Sequence, residues 1–87
     1  MDYEEFKNVV KEAGERRFAQ GGLVPIPELR RQVVTLERAD FDAFVFSLHR
    51  EGRIHLLSHV EPDKLPDDIR DQCVQASGTL LYWLRWL

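Results

Sequence analysis

Residues 41–59 read Phe41-Asp42-Ala43-Phe44-Val45-Phe46-Ser47-Leu48-His49-Arg50-Glu51-Gly52-Arg53-Ile54-His55-Leu56-Leu57-Ser58-His59, and two different periods meet inside them. Phe41, Phe44, Val45 and Leu48 recur at i, i+3, i+4 and i+7, the stripe of an amphipathic helix. Gly52 ends that stripe. After it the period falls to two, with Ile54, Leu56 and Ser58 on one face and His55, Leu57 and His59 on the other. The spacing predicts a helix from about Glu37 to Gly52, followed by a strand.

Upstream, Tyr3, Phe6, Val9, Val10, Ala13 and, more loosely, Phe18 keep mostly helical spacing over residues 3–18. Acids open this stretch, Arg16 and Arg17 stand near its end, and Gly21-Gly22 stops it. Leu23-Val24-Pro25-Ile26 is short and interrupted by proline, so any strand here lies at a sheet edge. Pro27 suits the start of a helix because its missing N–H would have no partner there, and Leu29 and Val33 repeat behind it. That places a second helix over 27–34 and a turn at Thr35-Leu36. Downstream, residues 60–78 hold two prolines, five acids and Gly78 and read as a long loop, with one short helical stretch possible at 67–72. Residues 79–86 are rich in strand formers and predict a second long strand, antiparallel to the first.

At 87 residues the chain is one domain, 1–87, with little material beyond its own core for a deep substrate pocket. A single cysteine, Cys73, permits no internal disulfide and suits a reducing compartment, so the cytoplasm is the expected location. The opening residues are acidic where a signal peptide is basic and then apolar. The longest nearly apolar run, 80–87, is far short of the ~20 residues that cross a bilayer, so no membrane partner is expected. No phosphate-binding glycine loop, zinc-protease helix or nucleophile elbow occurs, and neither enzymatic activity nor a cofactor is expected. His49, His55, His59 and Cys73 do not add up to a metal site, because His55 and His59 stand about 13 Å apart along one face of an extended strand.

The order helix, short strand, helix, turn, helix, strand, loop, strand, with Pro27-Glu28-Leu29-Arg30-Arg31, Phe41-Asp42-Ala43-Phe44 and Arg50-Glu51-Gly52-Arg53-Ile54, resembles a winged helix-turn-helix domain. The resemblance covers most of the chain and implies an α+β fold, three helices packed on a small antiparallel sheet with a long acidic wing loop. It implies double-stranded DNA as partner and a role as a transcriptional regulator, with the third helix in the major groove. Arg30, Arg31, Arg38, Arg50 and Arg53 are the candidate phosphate contacts. The net charge of -3 opposes this. It is concentrated in residues 60–78, where five acids meet two bases. The alternative is a protein-interaction or oligomerisation module on the same scaffold, because both faces of residues 79–86 are largely apolar. If Leu80, Tyr82, Leu84 and Trp86 cover the core, Leu81 and Trp83 face outward beside Leu57, with Phe46 exposed on the third helix. A protein partner or a second copy of the chain would then dock through the C-terminal strand.

Overall fold

The computed structural model describes residues 1–87, the side chain of Gln20 apart. Helix α1 spans Tyr3–Arg16, capped by the Asp2 carboxylate, which accepts from the Glu5 N–H. A 3-10 turn, Phe18–Gln20, and Gly21 in the left-handed region turn the chain into strand β1, Leu23–Pro25. Helix α2, Ile26–Gln32, begins one residue before Pro27, and α3 runs Arg38–Arg50 with Glu37 as its N-cap. Strand β2 is Ile54–Ser58. A second 3-10 turn, Pro62–Lys64, and a one-turn helix α4, Asp67–Asp71, lead to β3, Val74–Ala76, and then β4, Thr79–Trp86.

These elements make an α+β fold with four helices and a four-stranded antiparallel sheet. Strand β4 is central. It pairs with β2 from Ile54↔Trp86 to Ser58↔Leu81 and with β1 at Leu23↔Arg85, Val24↔Leu84 and Pro25↔Trp83. Leu81 lies opposite both Ser58 and Val74, so β3 shares the β1 side of β4, beyond the end of β1. The expected edge position of the Leu23 segment and the expected antiparallel pairing of the two long strands are both present.

The segment read as a loop differs from expectation. Three residues near its end, Val74–Ala76, are strand β3, joined to β4 by Ser77 and Gly78, both at positive φ. Two successive positive φ values match the twist of a tight hairpin. Three residues are too few to display a two-residue period, so only the Ser-Gly pair marked the hairpin in the sequence.

Phe6, Val10 and Ala13 from α1, Leu29 and Val33 from the α2 end, Phe41, Val45 and Leu48 from α3, and Val24, Ile54, Val74 and Leu84 from the sheet form one buried cluster. Phe6 stands edge-on to Phe41 at 5.5 Å between ring centres, a favourable aromatic geometry. Phe18 departs from the helical stripe assigned to it. It lies past the end of α1, and 83% of it is exposed.

No helix among the described residues is long and apolar enough to cross a membrane. Helix α1 lies close against β4 at Gly14, where a Cβ would stand 2.8 Å from the Trp86 Cβ. Neither atom belongs to the free end of a side chain, so the helix and the strand would have to separate. Gly14→Ala gains about 1 kcal/mol of helix propensity and loses about 1–3 kcal/mol to overpacking. The expected result is net destabilisation by denaturant titration, and a stabilised variant would contradict this packing.

Candidate nucleic-acid and partner surfaces

The five arginines separate into three roles. Arg30 is held inside the structure. Its Nε donates to the Gln72 carbonyl at 2.9 Å, its Nη2 donates to Asp42 Oδ1 at 2.9 Å, and its guanidinium lies 4.1 Å from the Phe41 ring centre. Only 16% of its side chain is exposed. It joins α2, α3 and the end of α4, so it is not free to hold a phosphate as expected.

Arg31 and Arg38 are open. With Arg30, Val34, Leu36 and Gln72 they line a shallow concavity of about 300 Å³ at the α2–α3 turn. Arg31 reaches Gln72 Oε1 at 3.4 Å, and neither Arg31 nor Arg38 has a carboxylate partner among the described residues. Arg50 stands twelve residues along α3 from Arg38, about 18 Å at 1.5 Å per residue, and donates to Ser47 Oγ at 3.1 Å. Arg53 precedes β2 and belongs by alternation to the sheet face away from the helices. The structure therefore gathers three of the five arginines and leaves two elsewhere.

The outward residues of α3 carry little information for reading bases. Ala39, Asp40 and Ala43 are exposed, and Asp42 is occupied by Arg30. Phe46, expected outside as a partner contact, is instead half-buried against the core. The stripe that packs α3 is broad enough to draw in both Phe44 and Phe46.

The acidic segment between β2 and β3 folds back onto the body along its second half. Cys73 and Val74 are buried, and the Gln72 carbonyl is held by Arg30. Two of its five acids are paired locally, Glu61 with Lys64 at 2.8 Å and Asp67 with Arg70. The hydrogen bond and charge of Asp67 raise the already high pKa of Arg70. Asp63, Asp68 and Asp71 are exposed. Burial pushes the Cys73 thiol up, against a smaller opposite pull from Arg30, and its Sγ donates to the Ile69 carbonyl at 3.3 Å. A thiol held protonated in this way is a poor nucleophile.

On the sheet, Val24, Ile54 and Leu84 point to the helices and are buried. By alternation Leu23, Pro25, His55, Leu57, Trp83 and Arg85 point away from them. Pro25, Trp83 and Leu57 are opposite one another on β1, β4 and β2, so they form one cross-strand row with the indole in the middle. Leu81 does not join them and packs against the core. The pairing skips Tyr82 between Leu57↔Trp83 and Ser58↔Leu81, and such an extra residue reverses the alternation beyond it. The Tyr82 ring lies 4.7 Å from that of Trp83 and 4.9 Å from His59.

Strict alternation in the sequence could have located Pro25 and Arg85. Tyr82 could not be found that way, because a bulge belongs to the pairing of two strands. Both sides of β4 already carry strands, so a second copy cannot extend the sheet at β4 itself, and the open edges belong to β2 on one side and to β1 and β3 on the other.

No three His, Cys, Asp or Glu side chains converge as metal ligands among the described residues. His59 Nδ1 accepts the Glu61 N–H at 3.0 Å.

The split among the arginines has a measurable consequence. Arg30→Ala removes a charge-assisted bond, a carbonyl bond and an aromatic contact and should cost about 1–3 kcal/mol, whereas Arg31→Ala should stay within about 0.5 kcal/mol. Equal losses in chemical denaturation would contradict the internal role of Arg30. Alkylation of Cys73 should be slow in the native chain and fast in denaturant, and equal rates would contradict its burial. No protein-family model, curated protein or solved structure matches the chain.

Proposed function

We propose that this chain is a non-catalytic winged-helix module that holds duplex DNA, chiefly by its phosphates, as the DNA-attaching part of a cytoplasmic regulator. The sheet order, with β4 between β1 and β2, and the α2–turn–α3 corner are compatible with a winged helix. The observation that carries the reading is the pair of arginines at that corner, Arg31 and Arg38, exposed beside an open concavity and without carboxylate partners. Exposed Ala39 and Ala43 let the first turns of α3 come close to a groove.

The same surface sets the character of the binding. Bidentate base readers are missing from the middle of the exposed α3 face, so affinity rests on backbone contacts and discriminates weakly among sequences. Asp40 and the acids of the α4 segment oppose a polyanion and keep the affinity modest.

Fluorescence anisotropy with a labelled duplex tests this. Binding should be detectable at about 50 mM salt and should weaken as salt rises, with a log–log slope near −2 for two phosphate contacts. The paired reversal Arg31→Glu, Arg38→Glu should abolish it, and scrambling the duplex should change affinity by less than about 1 kcal/mol, below the discrimination of a good base contact. Absence of binding, or binding indifferent to salt and to the reversal, defeats the proposal.

A further inference from the structure

The sheet face away from the helices and the exposed turn after α1 meet at one residue, Arg85. On one side of it runs the row Pro25–Trp83–Leu57, with Trp83 half-buried and flanked on both neighbouring strands by apolar residues. On the other side, Arg85 lines a concavity of about 200 Å³ together with Phe18, Gly22 and Trp86, and its Cγ lies 3.7 Å from where a Cβ of Gly22 would stand. Phe18 stands over this concavity almost fully in water. The Gly21-Gly22 turn leaves it open, since neither residue carries a side chain to fill it.

The charges around these apolar parts have one predominant sign. Arg85 lies between them, Arg53 follows it on the side away from Leu57, its carbonyl accepting the Leu87 N–H at 2.9 Å, and neither arginine has a carboxylate partner among the described residues. His55 lies opposite Arg85 on β2. Glu15 is the only carboxylate among the residues around the concavity. A central tryptophan with an adjoining apolar cavity is the usual form of an anchor site, and a basic border selects its partner by charge.

We propose that this surface docks a segment of another protein that presents a large apolar side chain flanked by carboxylates. The apolar group enters the concavity beside Phe18 and Trp86, the chain crosses Trp83, and the acids meet Arg85 and Arg53. The site is distinct from the Arg31–Arg38 corner and does not depend on DNA binding there.

The test is a selection from a random-peptide display library on the purified chain, with the selected peptides mapped by amide and indole NMR shifts. The peptides should be enriched in Asp or Glu beside Leu, Ile, Phe or Trp and should shift the Trp83 indole and the amides around Arg85. Trp83→Ala should weaken them at least about tenfold. Leu57→Lys gives a second reading if the first variant misfolds. Arg53→Glu with Arg85→Glu should turn the preference toward basic peptides, while Arg31→Glu with Arg38→Glu should leave binding unchanged. Peptides without acid enrichment, shifts centred elsewhere, or no selectable peptide would overturn the proposal. So would duplex DNA competing at these resonances, or concentration-dependent self-association removed by Trp83→Ala, which would make the occupant a second copy.

Discussion

Strand β4 is the constraint on which the rest of this domain depends. It is the only strand with neighbours on both sides, and its Leu84, fully buried, is opposite Val24 on one side and Leu56 on the other. Truncating a side chain in that position removes contacts that the surrounding backbone cannot easily close, typically ~2–5 kcal/mol. Two residues further along the strand, Trp86 sets how near α1 can lie to the sheet, and Gly14 is the residue that permits it. The helices, the short β1 edge and the acidic crossover all take their places from this strand.

A domain this small has few ways to separate its surfaces, and it does so by sheet face and helix corner. The helical side of the sheet is filled by the core. Its far side is left with an apolar row centred on Trp83 and a basic border, while the α2–α3 corner keeps two arginines free. Arg30 shows why a count of charges is a poor guide to such a surface. A guanidinium that satisfies a carboxylate, a backbone carbonyl and an aromatic ring is a structural tie, although in sequence it cannot be told from its neighbour Arg31.

The acidic crossover has a related effect. Its charge opposes nucleic acid in sequence, yet much of the segment is engaged locally. Glu61 and Asp67 are neutralised by cations three residues away, and Cys73 and Val74 bind the segment's end to the core. Exposed pairs of this kind contribute little stability, so burial of Val74 and the bond from Arg30 to the Gln72 carbonyl carry the attachment. What remains exposed, Asp63, Asp68 and Asp71, does not line the concavity that Arg31 and Arg38 border.

The amino-acid sequence by itself determined the helices, the edge segment, the two long strands and most of the core, because each rests on periodicity within one segment. Phe41, Val45 and Leu48 are buried as their spacing requires, and the Gly52 switch from helix to strand stands where the period changes. Only the tertiary structure decided which arginines are free, where Leu81 points and what residues 74–76 do. Arg30 depends on partners 12 and 42 residues away, Leu81 on a bulge created by pairing β4 with β2, and β3 on the strand it joins. Each of these is a relation between distant segments, and no local pattern records such a relation before the chain closes on itself.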